Sequence, residues 1–259
     1  MGKKIGMVIG ASQDAIHTIK KARKQGIYVV ALDGNPHAEG LGFADEGRVV
    51  DISDMQKVCQ EVEQIKPDFI LPVPIGRYLI TTGYMNKKYK LPGVMYSATR
   101  YSTDKYLYHD KLNQFGLRNT YEYLVNAQQS IADIEITYPA ILKPRFGSGS
   151  RDIFYIANYK QLQKAYDIIT TKKEDFILER FVEGTEYGVD GAVIDGKLYI
   201  TLLREKGMTP LPQRQAVSYS VVQRNIQNTP LFHRIEKYLK KAADVLEYDN
   251  CHFQVDLIA

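Results

Sequence analysis

Short apolar runs alternate with amphipathic stretches over the first hundred residues. Lys4 to Gly10 (KIGMVIG) is an apolar run ending in glycine, the pattern of a buried parallel strand. Ser12 is placed to cap a following helix that carries Ala15, Ile16, Ile19 and Ala22 on one face, with Gly26 at its end. Ile27 to Leu32 predicts a second buried strand, stopped by the turn residues Asp33-Gly34-Asn35-Pro36. Arg48 to Asp51 predicts a short third strand. Ser53 is the expected cap of a second helix with Met55, Val58, Val62 and Ile65 inward, closed by Pro67. Asp68 to Val73 predicts a fourth strand. Alternation at this spacing predicts an open parallel sheet covered on both faces.

Ligands of such sheets collect at the carboxyl ends of the strands. Those ends are Gly10-Ala11-Ser12, Asp33-Gly34-Asn35 and Pro74-Ile75-Gly76-Arg77. The first lacks the second and third glycines of G-x-G-x-x-G, so a tight turn is favoured over a dinucleotide site. Asp33 and Arg77 are candidates for holding a substrate, with a plain turn role as the alternative.

The middle of the chain changes character. Thr103 to Gly116 reads as a helix capped by Thr103, with Leu107, Leu112 and Phe115 near one face. Pro139 to Lys143 and Asp152 to Ala157 read as two strands of a hairpin. The loop between them, Pro144-Arg145-Phe146-Gly147-Ser148-Gly149-Ser150-Arg151, can wrap an anion with its backbone N–H groups. It is not a Walker loop, and a bare surface hairpin is the plainer alternative. A helix follows with Leu162, Ala165, Tyr166 and Ile169 inward, then a strand from Phe176 to Val182. Glu179 interrupts that apolar strand and needs a partner if buried. Strands Tyr187 to Ile194 and Lys197 to Leu203 are joined by Asp195-Gly196, a hairpin signal.

Composition narrows the reading. Of 259 residues 44% are hydrophobic and 25% charged, enough apolar content to exclude disorder over the whole chain. Two cysteines, Cys59 and Cys251, exclude a disulfide scaffold or a cysteine-based zinc site. The net charge of +4 is spread along the chain without a basic block, which argues against a nucleic-acid partner. No apolar run is long enough for a membrane span, and the N-terminus reads as a first strand rather than a signal peptide. A cytoplasmic protein is expected.

Four segments, TDKYLYHDKL (103–112), PAILKPRFGSGSRDI (139–153), FILERFVEGTEYGVD (176–190) and CHFQVDLIA (251–259), together resemble the ATP-grasp superfamily. MVIGAS, VVALDGNP, FADEGRVVD and PDFILP resemble the domain that precedes the ATP-grasp fold, so the resemblance covers essentially the whole chain. It implies an α/β protein: a Rossmann-like parallel-sheet domain over 1–100, an ATP-grasp small lobe with its linking helix over 101–182, and an incomplete large lobe over 183–259. The K-P-R-x-G-S-G-S run looks most like carbamoyl-phosphate-synthase-like members, with biotin-carboxylase-like and peptide-forming ligases close.

The resemblance also implies roles. Lys105 and Lys143 match the lysines that reach the nucleotide phosphates, and Phe146 to Arg151, with Gly147, Ser148, Gly149 and Ser150, match the loop that folds over them. Glu179 matches the acid that takes the adenine amine. Arg180, Phe181 and Val182 match the hinge along the adenine edge, and Glu186 the acid on the ribose. Arg204, Lys206 and Arg214 lie where the family keeps basic groups for the γ-phosphate and the acyl-phosphate. ATP and Mg2+ are the implied cofactors.

The family binds magnesium with an acid on one strand and a Glu-x-Asn on the next. Gln254 and Asp256 share one strand face, so either is placed as the first ligand, and Asp256 is the natural hard donor. No Glu-x-Asn follows before Ala259, which reads as a truncated chain. The implied activity is an ADP-forming C–N ligase joining small-molecule carboxylate and amine substrates, weak or absent in this chain by itself. The alternatives are carbamoyl-phosphate-synthase-like chemistry on bicarbonate and ammonia, and a nucleotide-binding regulatory protein without turnover. A homodimer is left open.

Overall fold

The computed structural model describes residues 2–118, 120, 122–128, 131–132, 134–147, 152–172, 174–211, 216–221 and 229–259. Two compact units divide the chain, Met1–Thr103 and Asp104–Ala259.

In the first unit β1 (Ile5–Ile9), β2 (Tyr28–Asp33), β3 (Glu46–Val49) and β4 (Phe69–Ile70) form a parallel sheet in the order β3-β2-β1-β4. Successive side chains of a strand point to opposite faces. Met7, Ile9, Val30 and Leu32 therefore pack with Val58, Val62 and Met85 on one face. Val8, Val29 and Ala31 pack with Ala15, Ile19 and Ala22 on the other. This is why the strands read as continuous apolar runs. The first face meets α2 (Met55–Ile65) and α3 (Leu79–Tyr89), and the second meets α1 (Ile16–Lys24).

Several expectations need correction here. Asp54, not Ser53, caps α2, accepting from the backbone N–H of Gln56 and Lys57, while Ser53 donates to Asp51. A carboxylate wins this position because it accepts two N–H groups and carries charge at the positive end of the helix. Ser12 makes no side-chain cap bond, since a single 3-10 turn, residues 13–15, intervenes before α1. The fourth strand pairs over only two residues. Periodicity did not reveal α3 or α4 (Tyr96–Thr103), whose buried positions include Thr81, Thr82 and Thr99. They pack closely at Gly83, where a Cβ would lie 2.4 Å from Thr99 Oγ1.

The second unit holds two antiparallel sheets. The first has the order β5-β8-β6-β7, from β5 (Glu122–Val125), β6 (Ala140–Pro144), β7 (Phe154–Ile156) and β8 (Phe176–Arg180). Leu162, Ala165 and Ile169 of α6 (Tyr159–Ile169) cover it, packing on Leu142, Ile156, Phe176 and Leu178. The second has the order β11-β10-β9-β12, from β9 (Glu186–Ile194), β10 (Lys197–Met208), β11 (Ala216–Val221) and β12 (Cys251–Ile258). Phe232, Ile235 and Leu239 of α7 (Pro230–Val245) lie on it against Tyr187, Val189 and Leu203. Burial on that scale stabilises by about 1.5–3 kcal/mol per large side chain.

The remaining helix, α5 (Lys105–Gln114), starts at Asp104 rather than Thr103. Asp104 accepts from the N–H groups of Tyr106 and Leu107, whereas Thr103 closes α4. Gly116 ends the helix with φ +65°, as its position predicts.

Candidate active site

Asp104 has a second task beyond capping α5. Its two oxygens take Nε and Nη2 of Arg145 at 2.9 and 2.6 Å, and Arg145 also reaches Asp175 at 3.2 Å. The guanidinium fork therefore fastens the start of α5 to the end of β6. That fastening sets Lys105. Its backbone N–H donates to the Arg145 carbonyl at 3.2 Å, and its ammonium donates to the Gly147 carbonyl at 2.6 Å. Lys105 thus stands at the root of the glycine–serine loop. Burial, reinforced by the charge of Lys143, holds its pKa below the usual lysine range.

Lys143 and Glu179 come from neighbouring antiparallel strands, β6 and β8. Lys143 Nζ meets Glu179 Oε1 at 2.6 Å, and Arg118 Nη2 meets Oε2 at 2.6 Å. The partner that an acid in an apolar strand requires is thus supplied twice. Burial pushes the Glu179 carboxyl upward, but Lys143 and Arg118 outweigh it and hold the pKa below the ordinary value.

Glu122 of β5 lies directly across from Glu179. Its Oε2 is 2.5 Å from His109 Nδ1, which is itself 3.4 Å from Glu179 Oε2. Burial pushes Glu122 up to about 7. Burial, with the charges of Lys143 and Arg118, pushes His109 down to about 3, so the imidazole is neutral. His109, Glu122 and Glu179 offer ligand atoms within 4.8 Å of one another. Two cations already occupy Glu179, which makes this a balanced charge cluster rather than a metal centre. Sequence reasoning missed His109, Arg118 and Glu122. The polar residues of α5 were the one available signal; the register that sets Glu122 across from Glu179 exists only in the folded chain.

The hinge residues leave β8 in order. The Phe181 N–H donates to the Pro139 carbonyl at 2.9 Å, and its ring stands edge-on to Tyr155. Arg180 and Val182 are exposed while Phe181 is buried. Gly184 has φ +157°, and a Cβ there would lie 2.5 Å from Ile258 Cγ2. Glycine therefore lets the hinge pass the end of β12, where Thr185 and Ala259 exchange backbone hydrogen bonds of 3.0 Å.

The remaining candidates share one face of the second sheet. Across β9 and β12, Asp190 lies opposite Gln254, Gly188 opposite Asp256, and Glu186 opposite Ile258. On the other side of β9, Arg204 lies opposite Gly188, and Lys206 follows two residues later. Residues opposite in register share a face, so Glu186, Asp190, Arg204, Lys206, Gln254 and Asp256 all point away from α7. Around Gly188 a Cβ would have Lys206 Cε, Arg204 Nη2 and Asp256 Oδ1 within 3.6 Å. Lys206 pairs with Asp256 at 2.5 Å and Arg204 with Asp190 at 2.7 Å. Arg204 also lies over the Tyr219 ring at 5.4 Å.

Gln254 and Asp256 offer hard oxygen donors on an exposed face, the set that suits Mg2+, with Lys206 as the cation now satisfying Asp256. Ser148, Gly149, Ser150, Arg151 and Arg214 lie outside the described residues. In the first unit, Asp33 is tied into its own turn, accepting from Ala11 N–H at 2.7 Å and Asn35 N–H at 2.8 Å. Arg77 lies over the ring of its neighbour Tyr78 at 5.3 Å.

Residues 136–258 match the family model of the ATP-grasp domain. The chain is 24% identical over 188 residues to a formate-dependent phosphoribosylglycinamide formyltransferase of Prochlorococcus marinus, covering 70% of this chain and 48% of that relative. It thus spans about half of that relative's length. Among solved structures, an L-amino acid ligase from Bacillus licheniformis superposes with a TM-score of 0.81 at 18% identity, over 100% of this chain and 64% of that one. The N5-carboxyaminoimidazole synthetase of Staphylococcus aureus, complexed with ADP, gives 0.78 at 19% identity, over 99% and 67%. At such identities these two structures establish the fold. Among the described residues no helix is long and apolar enough to cross a membrane.

Proposed function

With an ATP-grasp domain in residues 136–258 as the premise, we propose that the protein is an ATP-dependent ligase that activates a carboxylate, or bicarbonate, for attack by an amine or ammonia. One observation carries the reading. Lys143 and Glu179 pair at 2.6 Å, and Lys105, bonded to Gly147 at the root of the glycine–serine loop, is near enough to feel both charges, so two ammonium groups and one acceptor carboxylate are ready for the two ends of a nucleotide.

Glu179 accepts the exocyclic amine of adenine once Lys143 turns from it to the phosphates. Arg118 stays on the other oxygen and keeps the acid ionised. Lys105 exchanges the Gly147 carbonyl for a phosphate oxygen, a stronger charge-assisted partner. The backbone of Arg180, Phe181 and Val182 reads the base edge, and Glu186 takes the ribose hydroxyls. Gly147, at the root of the glycine–serine loop, offers its backbone to the phosphates. Arg204, Lys206 and Arg214 place positive charge where negative charge develops during phosphoryl transfer. Asp256 and Gln254 would hold magnesium, which would offset the charge of the phosphates. Bound MgATP supplies the phosphoryl group that turns the substrate carboxylate into an acyl-phosphate. No side chain serves as a covalent nucleophile.

Calorimetry with ATP, with and without magnesium, tests the binding half. Wild-type protein is expected to bind, and Lys143→Met to bind at least about tenfold more weakly, the loss of one charge-assisted contact. Equal affinity in the two proteins removes Lys143 from the site. ADP release across a panel of carboxylates with ammonia or amino acids tests the chemistry. Release that depends on a carboxylate, however slow, supports the ligase, and tight binding with no release on any carboxylate moves the reading to a regulatory nucleotide binder.

A further inference from the structure

The nucleotide roles leave Glu122 and His109 unused. Glu122 is 5% exposed at its side chain and lies opposite Glu179 in register. One of its oxygens meets His109 Nδ1, while the other, Oε1, is buried with no hydrogen-bond partner among the described residues. A carboxylate oxygen cut off from water and from donors disfavours the ionised form.

The groups facing this acid come from several elements. Arg118 approaches from the loop after α5, Lys143 from β6, Glu179 from β8 and Asp110 from α5. His109, between the two acids, also feels Lys105. Tyr238 of α7 and Tyr108 of α5 feel the charge of Arg118, and Tyr108 also feels Tyr248. With Glu122 ionised, two carboxylates balance Lys143 and Arg118. With Glu122 protonated, the same two cations face one carboxylate. A neutral His109 suits both states: its Nδ1 accepts from a Glu122 carboxylic acid, or in the other tautomer donates to a Glu122 carboxylate.

We propose that Glu122, coupled through His109, is a positioning residue whose proton sets the net charge around Lys143, and so sets the affinity for a nucleoside triphosphate. The inference rests on the nucleotide reading given above. Protonation removes one negative charge beside the lysine that the phosphates recruit, so the protonated state binds polyphosphate more tightly. A bound polyanion in turn raises the carboxyl's pKa, and affinity falls as pH rises through the transition of the free protein near pH 7.

The test is ATP binding by calorimetry, without magnesium, at pH 6 and pH 8, for wild type and Glu122→Gln. Taking the ratio of the two proteins at each pH cancels the nucleotide's own protonation. The variant is expected to bind about fivefold tighter than wild type at pH 8 and within about twofold of it at pH 6. A ratio that does not change with pH overturns the inference while leaving the nucleotide site intact. Absence of binding by either protein both without and with magnesium overturns the nucleotide reading and this inference together. A measurement independent of both variant and ligand is the carbon-13 titration of the Glu122 carboxyl in the wild-type protein. A midpoint near 7 is expected, and a midpoint in the ordinary carboxylate range overturns the inference alone.

Discussion

Two clusters of acids and bases in the second unit differ mainly in their access to water. Around Glu179 the side chains are 5–21% exposed, and three of them are shifted from their ordinary pKa. Around Gly188 the same kinds of pair form at similar distances and the cations are as buried, at 11–19% exposed, but the acids reach water, Asp190 at 31% and Asp256 at 61%. In the first cluster each charge has been taken out of water, so its partners are obligatory. In the second, water and salt substitute for a lost partner. On the nucleotide reading proposed above, the first arrangement suits base recognition, where a carboxylate must stay ionised in a dry place, and the second suits groups that exchange partners when phosphates and a cation bind.

The largest expected effect comes from removing the shared acid. Glu179→Ala removes the carboxylate that both Lys143 and Arg118 touch and leaves the two partly buried cations with Glu122, which neither contacts directly, as the remaining acid. A loss of about 3–5 kcal/mol in denaturant unfolding is expected. A loss below about 1 kcal/mol would place the buried cluster in the same class as the open one and erase the contrast.

The next effect is a pH dependence. The folded-state pKa of Glu122, about 7, lies above its ordinary value of 4.5. The unfolded chain therefore loses this proton first, and the folded state loses stability as pH climbs from 4.5 to 7. In Glu122→Gln the penalty is gone, so the variant's stability relative to wild type should rise by up to about 3 kcal/mol across that window and level off above it. Thermal unfolding of both proteins at several pH values reads this directly. A parallel pair of curves would mean that the carboxyl titrates normally and that burial does not control it.

Sequence legibility divides along the same line. The parallel sheet, α6, the β6–β7 hairpin and the β9–β10 hairpin were readable because burial repeats with the period of the element. Lys105, Lys143 and Glu179, which ordered motifs single out, lie near one another, with Lys143 and Glu179 paired. His109, Arg118 and Glu122 were not readable, since what defines them is a cross-strand register and a helix end that meet only after folding. The capping residues went astray by one position at Ser53 and Thr103, where an adjacent aspartate competes for the same N–H groups. The exposed strand β11 has no buried face, so no alternation announced it.

The smallest effect tests the open cluster. Lys206→Met removes the ammonium from Asp256, whose carboxylate then turns to water. A change in stability of no more than about 1 kcal/mol is expected, shrinking further when salt is raised from about 0.1 M to 1 M, where the screening length falls to about 3 Å. The same substitution also frees the Asp256 oxygens for a divalent cation, so manganese, a magnesium stand-in that can be followed by its paramagnetic broadening of nearby resonances, should bind more tightly than to wild type without nucleotide. A large stability loss that salt does not reduce would mean that Lys206, itself only 11% exposed, belongs with the buried set, and the line between the two clusters would have to be redrawn through β10.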